Sequence, residues 1–195
     1  MVNRQECDCK TDEELVQLAL SDQDWFLCLV QRYEEKLGRY IRRIAGLNQQ
    51  DIEDVLQEVF IKVYQNLNGF DTDLKFSSWI YRICHNTVIS HFRKTQARPD
   101  MILGEEGEKI LFGIPDKGNL ADEVHNRLSG EQINKILQKM DVKYREVLVL
   151  KFLEDKDYND ISDILKKPIG TVGTLINRAK KQFKEQADQL GIKFE

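Results

Sequence analysis

The chain has 195 residues, of which 41% are hydrophobic and 32% are charged, and its formal net charge is −4. This balance is typical of a soluble globular protein with room for one domain or two small ones. No apolar run approaches the roughly 20 residues that cross a bilayer, and the first residues lack the apolar core of a signal peptide. We therefore expect a cytoplasmic protein without membrane insertion.

The chain contains four cysteines, Cys7, Cys9, Cys28 and Cys84. In a cytoplasmic protein of this size we expect them to be reduced thiols. The pair Cys7-x-Cys9 could form half of a metal site with Cys84 or His85. Its spacing is not the usual C-x2-C, and no second Cys/His pair follows it. We therefore favour an unstructured terminus over residues 1–10 and expect no metal and no cofactor.

Helical periodicity dominates the first half of the chain. Thr11 and Glu14 have the spacing of a capping box, which marks the start of a helix. Apolar residues at three- and four-residue steps then predict further helices. The predicted helices span, in order, residues 12–20, 23–45, 50–67 and 77–95. The last of them begins at Ser77 or Ser78, and the four together predict a first domain over residues 11–95.

Residues 96–130 lack this periodicity. They hold two prolines, five glycines and seven acidic residues against four basic ones. This composition predicts a flexible acidic linker, and a loop of this length favours two domains. Periodicity returns as four helices over residues 131–188, followed by a tail over 189–195. The predicted fold class is all-α, with two small helical domains joined by the linker.

The last two predicted helices are joined by the short turn Lys167-Pro168-Ile169, which predicts a helix-turn-helix unit. The second helix of such a unit lies in the major groove of DNA, with its N-terminal residues facing the base edges. An ordinary helical hairpin with a solvated basic face is the alternative. The candidate DNA-binding residues on this helix are Thr171, Thr174, Leu175, Arg178 and Lys181.

The helix over residues 50–67 begins with polar residues that point to a docking surface. These residues are Asp51, Asp54, Gln57 and Glu58. Acids in the first turns of a helix usually serve only to stabilise its dipole, which is the alternative explanation. An exposed surface that docks on a partner protein is the functional one.

Aromatic and basic residues mix from Lys75 to Lys94. Aromatic rings stack on unpaired bases while arginine and lysine hold the backbone of single-stranded nucleic acid. The alternative is that Phe76 and Trp79 belong to the core. We expect His85 and His91 to be exposed helix residues rather than ligands or catalytic bases. The sequence has no P-loop, H-E-x-x-H or G-x-S-x-G motif, so an enzyme is the least favoured class.

Three motifs, taken together and in this order, resemble the extracytoplasmic-function sigma factors. The residues that carry the resemblance are Asp51-Ile52-Glu53-Asp54-Val55-Leu56-Gln57-Glu58-Val59-Phe60, then Phe76-x-x-Trp79-Ile80-Tyr81-Arg82-Ile83-x-x-Asn86 with Arg93-Lys94, and then Tyr144-Arg145-Glu146-Val147-Leu148, Tyr158-x-x-Ile161, Pro168-Ile169-Gly170-Thr171-Val172 and Arg178-Ala179-Lys180. The resemblance covers residues 11–184 and implies a promoter-specificity subunit of bacterial RNA polymerase.

The resemblance also implies roles for individual residues. Asp51, Asp54, Gln57 and Glu58 would dock on the clamp helices of the largest polymerase subunit. The loop over residues 68–75 would shape a pocket for a base flipped out of the minus-ten element. The residues implied to bind or melt that element are Asn68, Phe70, Lys75, Phe76, Trp79, Arg82, Asn86, Arg93 and Lys94. The second domain would read the minus-thirty-five element.

The partners that the resemblance implies are core RNA polymerase, including its flap, promoter DNA, and an anti-sigma factor or other recruiting factor. The sequence departs from the family pattern in two segments. Gly173-Thr174-Leu175 stands where a basic residue, a serine and an arginine are usual, and Ser90 stands where aspartate is frequent. Glycine weakens a helix by up to about 1 kcal/mol, so we expect weakened minus-thirty-five recognition. A stand-alone helix-turn-helix regulator and a thiol or metal protein remain the alternatives.

Overall fold

The computed structural model describes residues 4–71, 74–96 and 129–192. Within these ranges the protein is α-helical, which confirms the all-α prediction. The helices are α1 (Arg4–Asp8), α2 (Asp12–Ser21), α3 (Phe26–Ala45), α4 (Gln49–Asn66), α5 (Phe76–Gln96), α6 (Gly130–Lys139), α7 (Val142–Leu148), α8 (Tyr158–Leu165) and α9 (Ile169–Gln189). A 3-10 turn precedes α3, another follows α4, and a π-helical turn, Val149–Leu153, continues α7. We call α1–α5 the first unit and α6–α9 the second unit.

Local side-chain chemistry sets where several helices begin and end. Reciprocal capping boxes start three helices: Thr11 with Glu14 for α2, Ser129 with Gln132 for α6, and Asp157 with Asp160 for α8. Each box satisfies two backbone N–H groups that a helix start leaves free. Gly46, with a φ of 62°, ends α3 in the left-handed conformation that glycine adopts without strain. The helix expected to begin at Ser77 or Ser78 begins instead at Phe76.

Each unit has an apolar core. In the first unit the fully buried side chains include Leu15, Leu29, Leu37, Tyr40, Ile41, Phe76 and Ile80. In the second unit they include Ile136, Leu137, Leu150, Ile161 and Ile164. Burying one such side chain stabilises the fold by about 1.5–3 kcal/mol. The described part of the chain contains no helix long and apolar enough to span a bilayer.

The N-terminus differs from the sequence-based expectation. Residues 4–8 form α1, and Cys7 is bonded to Cys28 of α3 in a disulfide. The guanidinium of Arg32 supports this arrangement, because it donates to the Cys7 carbonyl over 2.6 Å and pairs with Asp12. The expectation of four reduced thiols is therefore wrong for Cys7 and Cys28, and the expectation of disorder is wrong for residues 4–10. The remaining cysteines, Cys9 and Cys84, are free thiols.

The second unit packs against the first through α5 with α8 and through α3 with α6 and α7. The last carbonyls of α3 have no partner within their own helix. Gln138 donates to the Arg43 carbonyl over 3.1 Å, and Arg145 donates to the Ile44 carbonyl. A Cβ atom at Gly46 would lie 2.7 Å from the Gln138 side-chain oxygen, so a larger residue would displace this amide. Most of the predicted linker, 97–128, lies outside the described residues.

Candidate nucleic-acid interface

The four predicted docking residues lie along one side of α4. Asp54 and Gln57 are exposed, while Asp51 and Glu58 are half-buried. Positions 51, 54 and 58 follow the three- and four-residue spacing that keeps side chains on one helix face. The Asn48 amide donates to the Asp51 carboxylate over 2.8 Å, and Glu58 pairs with Lys62 over 2.7 Å. The structure thus brings the predicted acids together at the surface.

An apolar hollow adjoins these acids. Ile61 and Tyr64 are about half exposed, which is unusual for large apolar side chains within a packed helix. With Phe26 and Phe60 they line an open hollow of about 380 Å³ that also reaches Gln57. This hollow was not predicted from the sequence. The signal was present, because Ile61 and Tyr64 are apolar yet fall outside the buried stripe of α4. We call the four docking residues together with this hollow the docking face.

Two of the predicted minus-ten residues lie in the core. Phe76 is fully buried and Phe70 is 8% exposed. Their rings form a cluster with Trp79, with centroids 5.1–5.6 Å apart. Aromatic pairs at such distances stabilise a core beyond the area they bury. In this conformation Phe70 and Phe76 therefore have no free face to stack on a base, and the core alternative holds for Phe76. Trp79 remains partly exposed.

The polar residues predicted to bind the minus-ten element occupy different surroundings. Asn68, Asn86 and Arg93 are exposed to solvent. Lys94 lies in α5, but its side chain is outside the described residues, as are residues 72–73 of the predicted pocket loop. Lys75 is also exposed and Arg82 is half-buried, and both contact the second unit. The predicted surface is thus only partly open in this structure.

Asp160 and Asp163 of α8, together with its N-cap residue Asp157, contact Lys75 and Arg82. The Lys75 ammonium lies 3.2 Å from the Asp157 carboxylate and 3.0 Å from that of Asp160. The hydrogen bonds that the ammonium donates, first to Asp160 and then to Asp157, raise the pKa of Lys75 above its usual value. Arg82 Nε donates to the Asp163 carbonyl over 2.7 Å, and its Nη2 lies 3.7 Å from the Asp163 carboxylate. These contacts join the two units through charge.

A second, deeper group of polar contacts centres on Glu154. Its carboxylate accepts from Tyr81 over 2.6 Å and pairs with Arg43 over 2.9 Å. Burial raises the pKa of Glu154, although these two hydrogen bonds act in the opposite direction. Burial also raises the pKa of Tyr81 well above its usual range, so the phenol stays a donor. Glu154 belongs to the second unit and both of its partners to the first.

His85 and Glu146 face each other across the same boundary. The expectation that His85 is exposed is wrong, since its side chain is 12% exposed and that of Glu146 is 10% exposed. Burial, reinforced by Lys167, lowers the pKa of His85 to about 4. Burial raises the pKa of Glu146 to about 7, partly offset by Lys167 and Arg145. The 4.0 Å separation would suit an ion pair, but a neutral imidazole at neutral pH makes none.

The helix predicted to enter the major groove is α9, and most of its candidate residues are free to do so. Thr171, Thr174, Arg178 and Lys181 are exposed, whereas Leu175 is half-buried. The left-handed Lys166 ends α8, and α9 starts at Ile169 after a two-residue turn. The structure therefore places four of the five predicted residues on an open helix surface.

Family comparisons place the two units in one protein family. The model of Sigma-70 region 2 matches residues 29–98, and the model of Sigma-70 region 4 matches residues 130–183. The ECF RNA polymerase sigma factor SigW of Bacillus subtilis (strain 168) is 36% identical over 185 residues, which are 91% of this chain and 97% of SigW. The ECF RNA polymerase sigma-E factor of Haemophilus influenzae is 30% identical over 92% of this chain and 97% of that protein.

Solved structures share the fold. CnrH, in complex with the cytosolic domain of CnrY, aligns over 91% of this chain and 97% of its own, with a TM-score of 0.66 and 22% identity. The sigma factor RpoE of Bartonella quintana, in complex with the anti-sigma factor NepR, aligns over 84% of this chain and 96% of its own. Its TM-score is 0.62 and its identity is 18%.

Proposed function

Since the chain belongs to the extracytoplasmic-function sigma factors, which direct bacterial RNA polymerase to promoters, we propose how its described surfaces divide that work. The docking face on α4 binds core polymerase. The exposed polar side of α5 binds and melts the minus-ten element, and α9 reads the minus-thirty-five element. The clamp helices and flap of polymerase are the proposed partners of the two units, and the cytoplasm is the proposed location.

The docking face carries this proposal. Its acids are exposed or half-buried, and they lie beside an apolar hollow rather than over the core. Interfaces combine an apolar centre, enriched in aromatic residues, with a polar rim. Tyr64 and Phe26, whose rings meet edge-to-face at 5.1 Å, supply such a centre, and Asp54 and Gln57 supply the rim. The alternative role of the acids, helix stabilisation, does not require the neighbouring hollow.

For the minus-ten element we propose a smaller set than the sequence suggested. Asn68, Lys75, Trp79, Arg82, Asn86, Arg93 and Lys94 remain candidates for direct contact. Phe70 and Phe76 act from the core by fixing the Trp79 ring and the start of α5. A partly exposed ring held by two buried rings is pre-organised for stacking on a base, and base–aromatic stacking contributes about 1–3 kcal/mol.

For the minus-thirty-five element we propose that α9 binds weakly. Four candidate residues are exposed, but only Arg178 and Lys181 carry positive charge. Gly173 adds neither a cation nor a side chain where the family usually supplies a basic residue. An anti-sigma factor or another recruiting factor is the proposed additional partner. As in other sigma factors, the chain itself performs no catalysis.

The test is co-purification of the full chain with core RNA polymerase. We compare the wild type, Asp54→Ala/Glu58→Ala, and a control, Glu185→Ala/Asp188→Ala, that removes two exposed acids of α9. Tyr64→Ala tests the apolar hollow separately. We expect stoichiometric binding by the wild type and the control, and loss of binding in both docking-face variants. If the wild type does not bind polymerase but binds duplex DNA in its absence, the result would instead support a stand-alone regulator.

A further inference from the structure

The two halves of α9 differ in charge. Its first nine residues, 169–177, include no charged side chain, and the first cation of the helix is Arg178. Lys180, Lys181 and Lys184 follow within the next two turns. In a helix-turn-helix unit the N-terminal residues of the second helix face the base edges. The part of α9 that is placed to read bases is therefore uncharged, while its cations lie where they suit phosphates.

The outer surface of this uncharged segment is formed mainly by small side chains. Gly170, Thr171 and Thr174 are exposed, while Val172 and Ile176 are buried against the rest of the unit. Gly170 and Thr174 stand four residues apart, which places them on the same side of the helix. A Cβ atom at Gly170 would meet nothing within 4 Å. Because glycine adds no side chain at that position, a partner as large as DNA can approach Thr174 closely.

The hydroxyl group of Thr174 is already bonded within the helix. It donates to the Gly170 carbonyl over 3.0 Å. A threonine hydroxyl has a single hydrogen, so this side chain has no donor left for another molecule, whereas its oxygen can still accept. The groups that Thr174 offers to a partner are therefore one methyl group and one hydrogen-bond acceptor.

The major-groove edges of the base pairs decide which pair suits such a side chain. Guanine is read mainly by arginine or lysine, and cytosine donates to carboxylates, but residues 169–177 contain none of these side chains. Thymine carries a methyl group in the groove, and its adenine partner adds an N6 donor. A T·A pair therefore matches both groups that Thr174 offers, whereas a G·C pair has no methyl group.

We propose that Thr174 is a specificity-determining residue that selects a T·A pair in the minus-thirty-five element through the thymine methyl group. This inference rests on the proposed role of α9 and adds which base that helix recognises. Leu175, half-buried beside Thr174, extends the apolar surface. Arg178 and Lys181 contact phosphates, which positions the helix without reading sequence. Contact through methyl groups in place of cations also fits the weak binding proposed for α9.

The test removes the methyl group from either side of this contact. Holoenzyme reconstituted with the full wild-type chain first selects promoter duplexes from a random-sequence library. Each thymine in the upstream element of the selected duplex, on either strand, is then replaced singly by deoxyuridine, which lacks only the methyl group. The affinity of the holoenzyme for each duplex is measured by competition against the unmodified one. This scan uses the wild type alone, so it does not depend on how any variant folds.

Three variants then locate the contact on the protein. Thr174→Ser removes the γ-methyl group but keeps the hydroxyl that bonds Gly170. Thr174→Val keeps a methyl group and loses the hydroxyl. The matched control, Thr11→Ser, makes the same change as the first variant at the exposed N-cap of α2, where serine also caps well.

We expect deoxyuridine at one position to weaken binding of the wild type about fourfold, the effect of one buried methyl group. Thr174→Ser should bind the unmodified duplex about fourfold more weakly and should not distinguish thymine from deoxyuridine at that position. Thr174→Val should still distinguish them, and Thr11→Ser should behave as the wild type. Loss of the deoxyuridine effect only in Thr174→Ser is the coupling that a direct contact produces in a double-mutant cycle.

Other outcomes overturn the inference. If deoxyuridine weakens the wild type and Thr174→Ser equally, another residue or the shape of the DNA reads the thymine. An element without thymine, a scan without effect, a Thr174→Val that no longer distinguishes the bases, or an equal loss in Thr11→Ser would each exclude the methyl contact. These results leave the proposed function standing, because the holoenzyme has selected a promoter. If it selects no upstream element, the proposed role of α9 fails together with the inference.

Discussion

Glu146→Gln tests whether the boundary between the two units exists in solution. Glu146 lies on α7 and faces His85 of α5, with only 10% of its side chain exposed. Burial raises its pKa from 4.5 to about 7. A carboxyl group whose pKa is raised by folding makes its full contribution to stability at pH values below its pKa in the unfolded chain. That contribution disappears as the pH rises through the folded value.

The size of the effect follows from the pKa. A rise from 4.5 to about 7 corresponds to about 3 kcal/mol of the free energy of unfolding. His85 acts in the opposite sense, because its pKa falls from 6.5 to about 4. Its contribution is present above pH 6.5 and is lost as the pH falls to about 4. Between pH 4.5 and 6.5 the two groups change the free energy of unfolding in opposite directions. Together they should therefore cause little change in the stability of the wild type with pH.

Glutamine stays neutral at every pH, so the variant keeps only the pH dependence of stability that His85 causes. We expect Glu146→Gln to match the wild type near pH 4.5 and to exceed its stability by up to about 3 kcal/mol above pH 7. Urea unfolding followed by tryptophan fluorescence across this range measures the difference. Glu185→Gln, an exposed change of the same type, should shift stability by less than about 0.5 kcal/mol at any pH. Parallel pH profiles for the wild type and Glu146→Gln would refute the buried position of Glu146.

Three further predictions concern single positions. Gly173→Arg should strengthen binding to a minus-thirty-five duplex and steepen the salt dependence of that binding by about one counterion, because it adds a positive charge to α9. The side chain fits, since an added Cβ would lie 3.7 Å from Tyr158, an ordinary contact distance. Titrations of the duplex at several salt concentrations measure both effects. Cys7→Ser should lower the free energy of unfolding of the oxidised protein by about 3 kcal/mol in urea unfolding, since the disulfide that it removes spans 21 residues. Under reductant, which also opens the disulfide of the wild type, the two proteins should differ little. Phe76→Ala should cost about 3–5 kcal/mol in urea unfolding, a loss that a surface base-stacking ring would not produce.

Much of the fold could be predicted because its causes are local. Capping boxes and apolar spacing act within a few residues, so they marked the starts of α2 and α8 and the helix-turn-helix formed by α8 and α9. The position of Asp51, Asp54 and Glu58 on one surface face of α4 could be predicted for the same reason, since their spacing along the helix decides their face. The exposed hollow beside them could not be assigned from spacing alone, because burial depends on which neighbouring helix covers Ile61 and Tyr64.

The features that the sequence did not predict depend on contacts between distant residues. Glu154 meets Arg43 across 111 positions, and Ser78 meets Asp160 across 82. No local pattern links such pairs. The Cys7–Cys28 bond likewise depends on α1 folding back onto α3, which the polar N-terminal sequence gave no reason to expect. Phe76 was ambiguous because a ring at a loop–helix junction has the same local sequence whether it faces the core or solvent.

The contrast between the two kinds of contact bears on how the chain works. Each unit is held by an apolar core, which changes little with salt or moderate pH. The boundary between the units combines apolar contacts, such as those of Val142 with the end of α3, with carboxylates that contact Lys75, Arg82, Arg43 and Tyr81. Only the polar contacts weaken with salt and with titration. Higher salt should therefore weaken the polar part of the boundary while it leaves the apolar packing within each unit nearly unchanged.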